Sequence, residues 1–189
     1  MRNLVLNAKH WQLFILSFAI PFLLQIVMMF RMMAKAFTNQ DLLPSSLFSD
    51  SIVLIIITAI FYAILPLWIW IVATSLQDKV PESIKLKVNK FKVFFIIPIV
   101  YFILYMTLFF PSLMNFQVEP TIFLIIMPLH LFVMFCMIYC IYFTAKTLKT
   151  VELQRIVHSS DYIGEFFLIW LFPIGVWFIQ PRINKIVQQ

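Results

Sequence analysis

"EFFLIWLFPIGVWFIQPRIN", residues 165–184, decides between two folds, one in which the chain crosses a membrane here and one in which it enters and turns back. Its apolar run, Phe166 to Ile179, covers 14 residues, ~21 Å as a helix against the ~30 Å of a hydrocarbon core. Pro173 removes a backbone donor and Gly175 permits a tight bend, so the middle of the run reads as a break. Gly164, the other glycine of the chain, opens the same segment, and these three residues form the candidate hinge. Charges flank the break almost symmetrically: Glu165 and Arg182 lie eight and nine residues from Pro173, and Asp161 and Lys185 each lie twelve away. Folding at Pro173 predicts two charge pairs, Glu165 with Arg182 and Asp161 with Lys185, and a packing stripe of Trp170, Pro173 and Trp177. The alternative is a fifth transmembrane helix, because acids at a helix start and bases at its end also suit the helix dipole.

The rest of the chain sets this segment in lipid. Of 189 residues, 63% are hydrophobic and 12% charged, about half the charge usual in a soluble domain. The charges cluster and leave four apolar gaps, approximately 11–30, 51–76, 93–113 and 121–145, each long enough to cross a bilayer as a helix. The expected fold is an all-α integral membrane protein, a single domain over 1–189. It comprises a four-transmembrane-helix bundle and a C-terminal re-entrant or interfacial helical hairpin over 162–181. With both termini cytoplasmic, 12 Lys and Arg lie inside and 2 outside; a fifth span would make this 10 and 4. The net charge of +6 follows this topology and not a nucleic-acid partner, since the lysines border apolar spans. A cleaved signal peptide ending at Ala34-Lys35-Ala36 is disfavoured, because the first apolar run exceeds the ~7–15 residues of a signal core.

Polar groups at depth are the places to look for chemistry. Tyr62, Tyr101, Tyr105 and His130 all fall near the midplane when counted from the ends of their spans, and predict one hydrogen-bonded layer. The layer has two readings: a site for a small molecule or a proton, and a structural contact supported by carbonyls that Pro66, Pro98 and Pro128 release. Cys136 and Cys140 share a helix face, but His130 is rotated away from it and no fourth ligand is apparent, so they read as small buried hydrophobes and no metal is expected. Gly-rich phosphate loops, HExxH and GxSxG are absent from the sequence, and no cofactor or catalytic residue is assigned.

The connection "DKVPESIKLKVNKFK" places Val80, Ile84, Val88 and Phe91 at helical spacing and predicts an interfacial helix, with an extended strand as the alternative. The fourth span is expected to continue past the membrane through "KTLKTVELQRIV", with "HSSD" ending it and Ser160 or Asp161 capping the segment that returns.

The runs "SDYIGEFFLIWLFPIGVWFIQPRIN", "YFTAKTLKTVELQR" and "KVNKFKVFFIIP" resemble those of a family of small, uncharacterised bacterial polytopic integral membrane proteins. The resemblance extends over most of the chain. It implies a bacterial inner (cytoplasmic) membrane protein and brings no activity or cofactor. The expected role is a non-enzymatic scaffold or accessory subunit of a membrane complex, with lipids, a membrane-protein partner or a second copy as contacts. The alternative is small-molecule binding or transport at the Tyr/His layer.

Overall fold

The computed structural model describes residues 2–37, 59, 63–109 and 120–188, and all regular structure among them is helical. The main helices are α1 (Arg2–Leu6), α2 (His10–Phe14), α3 (Ile20–Phe37), α4 (Ile64–Ser75), α5 (Val88–Leu104), α6 (Phe123–Leu153), α7 (Ser159–Trp170) and α8 (Phe172–Gln188). Three stretches are long and apolar enough to cross a membrane: His10–Arg31, Val88–Phe109 and Phe123–Leu153. They correspond to the first, third and fourth apolar gaps. The second, 51–76, lies largely outside the described residues, and α4 is its described end.

Two of these stretches contain a widened turn. Ile15–Ala19 joins α2 to α3 as a π turn immediately before Pro21, and Tyr105–Phe109 extends α5 in the same way. Pro21 lacks an N–H, and its ring would strike the carbonyl four residues back. The π turn relieves this clash: Ile20 donates its N–H to the Ile15 carbonyl five residues back, and the Ser17 hydroxyl donates to the Leu13 carbonyl at 2.7 Å.

The chain forms two compact units, Met1–Ile71 with Phe167–Gln189, and Val72–Phe166. In the first, α8 packs against α1 and α2. Its buried residues are Phe172, Gly175, Val176, Ile179, Gln180 and Ile183, which recur at helical spacing along one face. Trp170 and Trp177 remain 49% and 44% exposed, so the expected tryptophan stripe is not the packing face. The break at Leu171 is the reason, because residues 170 and 177 belong to different helices. Trp177 instead lays its ring beside His10 and Phe14, with centroids 4.7 and 5.7 Å away.

That break is abrupt. Leu171 donates its N–H to the Phe167 carbonyl at 2.8 Å and accepts from both Ile174 and Gly175 at 2.9 Å. Pro173 lies in the first turn of α8, where an N–H would have no helical partner. A Cβ on Gly175 would fall 1.7 Å from the Leu168 carbonyl oxygen, so the turn requires glycine there. Gly164 behaves otherwise: it lies within α7 with nothing within 4 Å of its would-be Cβ.

In the second unit, α5 and α6 pack antiparallel. Phe91 stacks on Phe143 at 4.8 Å, Phe94 meets Tyr139 at 4.7 Å, and Tyr101 meets His130 at 5.8 Å, so the partner number falls as the α5 number rises. Helix α6 continues well beyond its apolar part, as expected, to Leu153. Gln154 follows it in the left-handed region (φ 50°) and donates its N–H to the Thr150 carbonyl. Thr144, Thr147 and Thr150 are buried along this extension, and Gln77 donates its amide to the Thr147 hydroxyl at 3.0 Å.

The connection ahead of α5 is neither the expected helix nor a strand. It consists of two short 3₁₀ turns, Leu76–Lys79 and Glu82–Ile84, then non-helical residues up to Val88. Pro81 explains this, since it forces Val80 into extended backbone (φ −79°, ψ 131°) and cannot donate to a preceding turn.

Candidate functional site

Helices α5 and α6 bring three of the four expected midplane groups together. The Tyr101 hydroxyl lies 3.1 Å from His130 Nδ1, and the Tyr105 ring is 5.9 Å from that of Tyr101. Tyr62 lies outside the described residues. Tyr101 is half-buried and His130 exposed, so the pair opens outward from the α5–α6 interface. With the imidazole proton on Nε2 the phenol donates to Nδ1, and with it on Nδ1 the ring donates to the phenol oxygen. Cys136 and Cys140 are buried and free. Among the described residues, no group of three His, Cys, Asp or Glu side chains is placed to hold a metal ion.

The acids at the start of the C-terminal segment take bases from α6 and its exit. Glu165, buried, accepts from Lys149 Nζ at 3.0 Å, and the same ammonium lies 3.4 Å from Glu152. Arg155 grips Asp161 with both terminal nitrogens, at 3.0 and 3.1 Å. Asp161 also accepts the backbone N–H of His158 at 2.9 Å, which caps α7 from its first turn. Donation from the Arg155 guanidinium, and then from the His158 N–H, holds the Asp161 carboxyl below its ordinary pKa. In α8, Arg182 is half-buried and Lys185 exposed. Ser160 is exposed, and Asp161 provides the cap.

One polar centre was not anticipated from the sequence. Gln180 is fully buried in α8 and accepts from Trp68 Nε1 at 2.8 Å. Its amide nitrogen, with two hydrogens to donate, lies 3.1, 3.3 and 3.0 Å from the carbonyls of Val5, Leu6 and Ala8 and 2.9 Å from Asn184 Oδ1. Asn184 adds a second donor to the Ala8 carbonyl at 3.2 Å. The Leu6 carbonyl lies at the end of that short helix, where a side-chain amide stands in for the next turn. The available signal was an uncharged amide in an otherwise apolar run, directly before Pro181.

These arrangements support helix fixation on one hand and hydrogen bonding to a small ligand on the other. No family model, curated protein or solved structure matches the chain.

Proposed function

We propose that the protein is a multi-pass inner-membrane protein of a bacterium that serves as a non-catalytic scaffold or accessory subunit of a membrane complex. The observation that carries this reading is the surface of α5, along which Val93, Ile96, Ile99, Val100, Phe102 and Ile103 are all exposed. Helices in lipid gain little from hydrophobicity when they associate and depend on packing and polar contacts. Here the polar contacts gather at the α6 extension and the α7 start, while Ile99 and Ile103 of α5 face outward. A photo-reactive phenylalanine analogue placed singly at 99 and 103 and illuminated in cells is expected to give a protein adduct of one discrete mass. Adducts to lipid alone at both positions would overturn the reading.

The same proposal makes 51–76 the second of four spans and the α7–α8 segment a hairpin that stays on the cytoplasmic side. Helices of 12 and 17 residues reach ~18 and ~26 Å, each short of the ~30 Å core. The 12-to-2 distribution of Lys and Arg favours both ends inside. In this arrangement Glu165 and Arg182 lie at one membrane face.

The Tyr101–His130 hydrogen bond supports a second reading, a site for a small polar molecule within the spans. His130→Phe separates the two: a stable protein that loses its cellular phenotype favours the ligand site, and an unchanged phenotype removes it.

A further inference from the structure

Among the basic side chains of the second unit, Lys85, Lys149 and Arg155 each face a carboxylate. Lys90 and Lys146 have no carboxylate partner among the described residues and lie over aromatic rings instead. Lys90 Nζ is 5.6 Å from the Phe94 ring centroid and 5.3 Å from that of Tyr139. Lys146 Nζ is 5.8 Å from the Tyr142 centroid and 3.4 Å from its hydroxyl oxygen. The two tyrosine rings are 5.9 Å apart on α6, which joins the cations into one strip.

The strip also sits at a defined level of the helices. Lys90 and Lys92 directly precede the apolar run of α5, and Lys146 is the first charge after that of α6. This is the level of lipid phosphates, where tyrosines gather and lysine stems extend along apolar surface. One turn deeper on the same face, Phe135 is exposed and its ring meets Phe94 at 6.3 Å, which gives an acyl chain a surface to follow. Rings attract an ammonium only weakly and leave its charge uncompensated.

We propose that Lys90, Tyr139, Tyr142 and Lys146 form a binding site for the phosphodiester of an anionic glycerophospholipid. The two ammoniums and the phenol hydroxyls donate to its oxygens, and an acyl chain lies along Phe94 and Phe135. This inference rests on the membrane placement but is independent of the accessory role, because a lipid can fill the site whether or not a partner binds α5.

Native mass spectrometry of the purified protein in dodecyl maltoside tests it, titrating phosphatidylglycerol or phosphatidylcholine. Two basic contacts predict retention of phosphatidylglycerol about 30-fold tighter than phosphatidylcholine. The K90Q/K146Q variant is expected to lose this preference, and K90R/K146R to keep it. K85Q/K87Q, which alters lysines of the same basic segment, is expected to leave it unchanged. Equal loss in K85Q/K87Q and K90Q/K146Q would show diffuse attraction and overturn the site, as would no preference in the unmodified protein. Displacement of the lipid by millimolar inorganic phosphate would assign the site to free phosphate and overturn the lipid claim.

Discussion

Gln180 shows how one side chain can set the stability of a segment far from it in sequence. Its amide is fully buried and bonded on both sides, so replacing it with leucine takes from the Trp68 N–H its acceptor and from the Leu6 carbonyl its side-chain donor. Buried unmade hydrogen bonds cost about 1–3 kcal/mol. Gln180→Leu is therefore expected to lower the detergent-phase unfolding midpoint, and Trp68→Phe to do so less, since it removes one donor and leaves the carbonyl contacts. Equal midpoints for Gln180→Leu and the unmodified protein would contradict this role. Gln77 provides a contrast: its amide nitrogen bonds the Ala73 carbonyl and Thr147, while its own carbonyl oxygen is buried without a partner among the described residues. The two glutamines are indistinguishable by residue type, and only tertiary placement separates them. For that reason neither role was legible beforehand, whereas the contact between His130 and Tyr101, which stand out as polar groups in apolar helices, was.

Among elements, the α7–α8 break is the one that a single substitution tests in both directions. Gly175→Ala puts a methyl carbon against the backbone of Leu168, where no side-chain rotation relieves the contact. Overpacking of this kind costs about 1–3 kcal/mol. Gly164→Ala meets open space inside a helix and is expected to raise stability by about 0.5–1 kcal/mol. Paired thermal unfolding of the two variants checks the opposite signs. From sequence, the break was legible because proline and glycine mark it chemically; its residue was not, since the turn forms at Leu171, ahead of both markers. Helix ends follow a related rule. Charges bound the apolar run and not the helix, so α5 starts at Val88 and carries Lys90 and Lys92 within it, while α6 runs through Lys146 and Lys149.

For the whole molecule, three long apolar helices were readable from charge-free gaps alone, because lipid admits few backbone solutions other than a helix. What gaps cannot encode is which side the final residues occupy. An accessibility tag after Gln189 is expected to be labelled only after the cytoplasmic membrane is permeabilised, and labelling from outside in intact cells would establish a fifth span.

The tie from Gln180 to the carbonyls of residues 5, 6 and 8 also has a consequence for biogenesis. Those acceptors leave the ribosome more than 170 positions ahead of their donor. The turn at residues 5–8 must wait in an unfinished state while the intervening chain is made. Nascent chains stalled before position 180 should therefore leave Ala8 open to protease, and release of the completed chain should close it.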